Sequence, residues 1–112
     1  MSDIQELIDL LVKFRDDRDW GQFHDSKNLA LALSIEAAEL NELFLWKKDS
    51  ESKNIDRERL KEELADVFAY ALMLAERNNL SVSDIVKSKI QKNAEKYPVE
   101  ECRGSSAKYK ET

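Results

Sequence analysis

Turn punctuation is scarce in this chain of 112 residues, which has two Gly and one Pro. A fold with many strand reversals is disfavoured, and strong helix formers (Ala, Leu, Glu and Lys) dominate what remains. Cysteine is nearly absent. The single Cys102 excludes an intramolecular disulfide and gives no metal–thiolate cluster. With the polar start "MSDIQEL", it predicts a cytoplasmic protein without a signal peptide. No apolar run approaches the roughly 20 residues needed to span a bilayer, so no membrane partner is expected. A basic excess is missing as well. The net charge of −5 argues against a general nucleic-acid binder, which needs a cationic face to release counterions. A nucleotide substrate stays compatible with that charge, because a bound divalent cation reverses the local field.

What the chain does contain is helical periodicity. Ile4, Leu7, Ile8, Leu11 and Phe14 follow the i, i+3, i+4, i+7 spacing of an amphipathic helix. "RDWGQFHDSKN" breaks the period, and Asp25 or Ser26 can cap a second helix from about Lys27 to Lys47. The polar "KDSESKNID" leads to Asp56 as the N-cap of a third helix over about 57–77, ending at "NN". Ser81 and Asp84 resemble a capping box that opens a fourth helix to about Tyr97, where Pro98 stops it. The expected fold is all-α and four-helix bundle-like over 1–98, followed by an extended polar tail over 99–112. "LALALSI" and "LADVFAYALML" leave few polar positions on helices two and three. Helices apolar nearly all round must be covered nearly all round, which predicts a homodimer or larger oligomer built on these two.

Four acids break the apolar pattern. At about 100° per residue, Glu36 falls within the stripe of Leu29, Leu33, Leu40 and Leu43, with Glu39 beside it. On helix three, Glu63, Asp66 and Tyr70 share a face flanking Leu60, Leu64, Val67 and Ala71. The plainest reading is that these carboxylates border the core and pair with Lys or Arg. Two matched i, i+3 pairs weaken it, because clustered carboxylates in low dielectric must protonate or bind a cation. Lys61 and Arg59 are read as belonging mainly to other faces. Oxygen-only ligands suit a hard divalent ion. Di-iron bundles use Glu-x-x-His motifs, and the only histidine is His24 in a loop, so Mg²⁺ is favoured, with Mn²⁺ as a substitute. Mg²⁺ commonly shares its shell with substrate phosphates, which points to phosphate chemistry.

Helix four carries a second anomaly, because Lys89 and Asn93 project from the stripe of Val82, Ile85, Val86, Ile90 and Tyr97. Either Lys89 snorkels and Asn93 bonds the backbone, or Lys89 meets phosphate and Asn93 a sugar or base. Trp20, Phe23 and His24 after helix one, and Trp46 after helix two, are core or interface side chains by default. Stacking on a base is their functional alternative.

Together these residues resemble the all-α nucleotide pyrophosphohydrolases, the MazG-like superfamily, whose metal motif is E-E-x-x-E, a spacer, then E-x-x-D. Here it reads Ile35-Glu36-Ala37-Ala38-Glu39, 23 intervening residues, then Glu63-Leu64-Ala65-Asp66, with Ile35 in place of the first acid. "RDWGQFHDSKNL", "ELFLWK", "EELADV" and "KYPVEECRGSSAKY" match the dCTP pyrophosphatase branch in order. The resemblance implies cleavage of a nucleoside triphosphate, dCTP or a modified dCTP preferred, between the α and β phosphates for nucleotide-pool house-cleaning. It assigns Glu36, Glu39, Glu63 and Asp66 to Mg²⁺, with Glu36 and Glu39 the candidates for taking the water's proton. It places Trp20, His24, Trp46 and Tyr70 around base and sugar, and Lys89 and Asn93 near phosphate and sugar. Arg103, Lys108 and Tyr109 of the tail match as well, and the assembly implied is a tetramer built from two dimers. A non-catalytic helical module stabilised by metal, and a pyrophosphatase of broader specificity, are the competing readings.

Overall fold

Five α-helices and two short 3-10 segments make up residues 2–105, the part of the chain that the computed structural model describes, and no strand occurs among them. The helices are α1 (Asp3–Asp17), α2 (Ser26–Glu42), α3 (Arg57–Arg77), α4 (Val82–Lys96) and α5 (Val99–Cys102). None is long and apolar enough to cross a membrane. The starts of the four longer helices are written in the sequence. The side chains of Ser2, Asp25, Asp56 and Ser81 each accept from a backbone N–H in the first turn, satisfying donors that the helix itself leaves orphaned.

The ends are set by left-handed residues. After α1, Asp19 takes a positive φ of 53°, its N–H donates to the carbonyl of Asp16, and the N–H of Trp20 donates to Arg15. This double closure is the Schellman pattern, with Asp standing where Gly is commoner. After α3, Asn79 takes a positive φ of 55°, and its N–H donates to the carbonyl of Glu76. Helix α2 stops at Glu42 rather than near Lys47 as the sequence suggests. Leu43, Phe44 and Leu45 close short i→i−3 bonds, and Trp46 follows in the left-handed region at φ 65°. A turn therefore replaces the last helical residues. Val99–Cys102 also departs from expectation, forming a helical turn where an extended tail was read. The carbonyl of Pro98 accepts from the N–H groups of Glu101 and Cys102, so proline ends one helix and starts the next.

The chain divides into two compact units, one up to Asn79 and one from Leu80. In the first, α2 lies against α3, and α1 makes a smaller contact with α3. Ile8, Leu29, Leu43, Leu72, Met73 and Ala75 are buried there. Arg15 of α1 pairs with Glu76 of α3 at 3.1 Å, and the amide of Asn78 reaches the Ser26 hydroxyl at 3.0 Å, so polar links brace both helix pairs. The second unit holds α4 and α5. Lys108 and Tyr109 lie outside the described residues.

Leu29 of α2 is 2% exposed, the most deeply buried large side chain among the described residues. Leu29→Ala is expected to cost about 3 kcal/mol in chemical denaturation, through lost transfer energy plus a cavity. A loss below about 1 kcal/mol would mean that this core can collapse around the gap.

Candidate functional site

The pairing of α2 with α3 brings acids from both helices together. Glu36 and Glu39 stand one turn apart on α2, and Glu63 faces them from α3. One carboxylate oxygen from each lies within 4.8 Å of the others. All three residues are half-buried. Oε2 of Glu36 and Oε2 of Glu63 are cut off from solvent and have no hydrogen-bond partner among the described residues. A buried carboxylate oxygen without a donor costs free energy that a cation would return. The donor set is oxygen only, it comes from two rigid helices, and it fits a hard divalent ion.

The electrostatics follow from this crowding. Loss of hydration pushes the Glu36 carboxyl up to about 7, assisted by a carboxyl–carboxyl hydrogen bond with Glu39 and by the charges of Glu39, Asp66 and Glu63. Glu63 moves in the same direction for the same reasons, its hydration loss being the largest, while the nearby charge of Arg59 opposes the change. Asp66 stands outside the triplet and is exposed, but it is close enough for its charge to raise both.

Arg59 corrects the sequence reading. The helical count assigns it mainly to another face, yet its Nη2 lies 3.8 Å from Oε1 of Glu63. The pair is i, i+4, so the two side chains are neighbours on one helix surface. Lys61 does point elsewhere, pairing with Glu58 at 3.1 Å.

A cavity of about 240 Å³ opens beside the acids, lined by Phe14, Arg15, Trp20, His24, Asp66 and Tyr70 among others. Asp66 belongs to the acid face and to this cavity at once. Tyr70 couples them too: its hydroxyl is pushed up by hydration loss and by the charges of Glu36, Asp66 and Glu39. The aromatic wall is a ladder. The Arg18 guanidinium sits 3.6 Å from the Phe14 ring centre, Phe14 meets Trp20 edge-on at 5.8 Å, and Trp20 meets His24 at 6.3 Å. Nδ1 of His24 is buried without a partner among the described residues.

Trp20, His24 and Tyr70 thus share one cavity, whereas Trp46 does not line it and is 91% exposed. The left-handed turn after α2 directs that side chain outward. Lys89 and Asn93 lie one turn apart on α4, both exposed, in the second unit. Arg103 is the C-cap of α5 and is exposed. Arg15 was missed in the sequence. The signal that could have found it is its angular position, in the middle of the stripe formed by Ile4, Ile8 and Leu11.

With this geometry established, known proteins offer a comparison. The sequence profile described as the MazG-like family matches residues 31–112. The dCTP pyrophosphatase 1 of Rattus norvegicus is 41% identical over 111 residues, covering 95% of this chain and 65% of that protein. The Homo sapiens protein of the same name is 41% identical over 113 residues, covering 96% of this chain and 66% of that protein. The chain therefore spans slightly less than two thirds of these relatives' length. The crystal structure of a pyrophosphatase from Archaeoglobus fulgidus superposes with a TM-score of 0.83 at 39% identity, over 88% of this chain and 94% of that one.

The raised acids give the metal-free protein a distinctive pH dependence. Glu36 holds its proton up to about 7 when folded, against an ordinary value of 4.5. Between those values the folded state binds more protons than the unfolded one, so stability falls as pH rises through the window. Thermal melts without metal are expected to show a lower melting temperature at pH 7.5 than at pH 5, with a smaller fall in Glu36→Gln. Stability that rises across this window, equally in both proteins, would contradict the crowding.

Proposed function

The chain belongs to the MazG-like family, and from that premise we propose that it is an Mg²⁺-dependent pyrophosphohydrolase of nucleoside triphosphates. One observation carries the reading: Glu36 and Glu63 each keep a buried, unpartnered oxygen where Glu39 converges on them. The substrate favoured is a deoxynucleoside triphosphate, dCTP or a modified dCTP first, in keeping with the names of the relatives. The setting is removal of unwanted nucleotides from the cytoplasmic pool.

In this reaction water attacks the α phosphorus, and the bond to the α–β bridging oxygen breaks. Pyrophosphate leaves, and a nucleoside monophosphate remains. Glu36, Glu39, Glu63 and Asp66 are the residues that would hold the ion. Bound there, Mg²⁺ (or Mn²⁺ in its place) would supply charge neutralisation at the phosphates and lower the pKa of a bound water. The chain's own side chains do the rest. Glu36 or Glu39 takes the proton that the attacking water loses. The fixed places of the four acids on α2 and α3 make the geometry available before substrate arrives. Trp20, His24 and Tyr70 receive the base and sugar in the adjoining cavity, and Asp66 joins that cavity to the acids. Lys89 and Asn93 of α4 are assigned to phosphate and sugar, and Trp46 to the base, by the family resemblance alone.

The same reading includes a homo-oligomer, dimer or tetramer, built on α2 and α3. Leu31, Ile35 and Leu45 in and after α2, and Leu64 and Phe68 of α3, are all exposed in the single chain. Apolar side chains repeated four residues apart on each helix are the surface that such an interface would cover.

Incubating the protein with dCTP and Mg²⁺ and resolving the products tests the reaction. Equimolar dCMP and pyrophosphate are expected, with no product when the metal is chelated. Orthophosphate with dCDP, or no turnover of any dNTP, would overturn it.

A further inference from the structure

We infer that Arg15 is a specificity-determining residue, the donor that reads a hydrogen-bond acceptor on the edge of the ring bound between α1 and α3. The inference rests on the nucleotide reading above and deepens it.

Arg15 lines the cavity that also holds Trp20, His24 and Tyr70. Its side chain is only 15% exposed, and two carboxylates fix it. Nε donates to Oδ1 of Asp16 at 2.9 Å, and Nη1 donates to Oε2 of Glu76 at 3.1 Å. Nη2 donates to no acceptor among the described residues. The loop also depends on Arg15, whose carbonyl accepts from the N–H of Trp20 at 3.1 Å. Gly21 lies so close that a Cβ there would stand 3.6 Å from Nε of Arg15. The guanidinium is therefore held by two carboxylates before any ligand enters. A donor with its rotamers already fixed loses little entropy on binding.

The charge around Arg15 selects the class of acceptor. Asp16 and Glu76 already compensate its single positive charge, and Asp66 adds a further negative charge to the cavity. A phosphate would meet net negative surroundings. A neutral ring edge would not. The remaining walls agree, since Leu11, Phe14, Trp20, Tyr70 and Met73 offer apolar and aromatic faces suited to a flat ring. Arginine is never a hydrogen-bond acceptor, so the ring must present a carbonyl oxygen or an unprotonated ring nitrogen to it. His24 lines the same cavity, and its Nδ1 is buried without a partner among the described residues. A nucleobase bearing a carbonyl beside a ring nitrogen meets these demands together.

The simpler alternative is that Arg15 is only a strut between α1 and α3. Binding of dCMP and of 2-deoxyribose 5-phosphate, measured calorimetrically on the full chain, separates the two. The wild type is expected to prefer dCMP. Arg15→Gln is expected to weaken dCMP binding about 10-fold, as for loss of one charge-assisted hydrogen bond, while leaving 2-deoxyribose 5-phosphate unchanged. Glu76→Gln, which removes the brace but keeps the guanidinium, is expected to lose about threefold at most. Arg15→Lys, which keeps the charge without the planar fork, falls between and serves if Arg15→Gln does not fold. In turnover, Arg15→Gln should raise KM about 10-fold with kcat within about threefold. Unchanged dCMP affinity in the Arg15 variants, equal losses on both ligands, or no preference for dCMP in the wild type overturns the inference. Base-selective binding through Arg15 in a protein that cleaves no dNTP would sink the proposed reaction and leave this inference standing.

Discussion

Repulsion among Glu36, Glu39 and Glu63 is the constraint on which the first unit depends. Three carboxylates held within 4.8 Å and partly dried are unfavourable unless something offsets them, and the protein itself supplies little that does. Arg59 reaches one outer oxygen at 3.8 Å, and its side chain is more than half exposed, so solvent screens most of its effect. The inner oxygens of Glu36 and Glu63 stay without partners. Helices α2 and α3 hold this arrangement because their apolar stripes pack behind it and because Asp25 and Asp56 anchor their starts. Binding energy is thus stored in the fold before the ligand comes.

The cavity is the other half of the same design. Asp66 lines it from α3, and Trp20 and His24, which follow the helix-ending turn at Asp19, line it as well. A cation held at the acids would therefore sit beside a slot lined by aromatic rings. That neighbourhood favours a ligand with a charged end and a flat end, and a nucleoside triphosphate has both. Arg15 and Glu76 brace the wall of this slot across the α1–α3 contact, so stability and recognition share one ion pair.

Much of this was legible in the sequence because it rests on periods and caps. The i, i+3 spacing of Glu36 with Glu39, set inside a leucine stripe, announces a polar group turned toward the interior. The caps at Asp25, Asp56 and Ser81 are local chemistry and needed no knowledge of the fold. Failures came where local rules compete. Arg59 counts mainly to another face, but it lies one helical turn before Glu63 and its long side chain reaches that carboxylate. The end of α2 was overrun because "LFLWK" is as apolar as the helix before it, and only the backbone bonds decide that a turn forms there. Trp46 is placed at the base by the resemblance, whereas in the single chain it follows a left-handed turn and is exposed. Arg15 went unnoticed although it interrupts an apolar stripe just as Glu36 does.

The central claim is that the acid cluster is a cation site whose carboxylates hold protons until the ion displaces them. Calorimetric titration of the protein with Mg²⁺ at pH 7, repeated in buffers of different ionisation enthalpy, measures that displacement. Because Glu36 is pushed up to about 7, roughly half a proton should be released for each ion bound, and more at lower pH. Binding that releases no protons at any pH from 6 to 7, or no binding at all, would contradict the account.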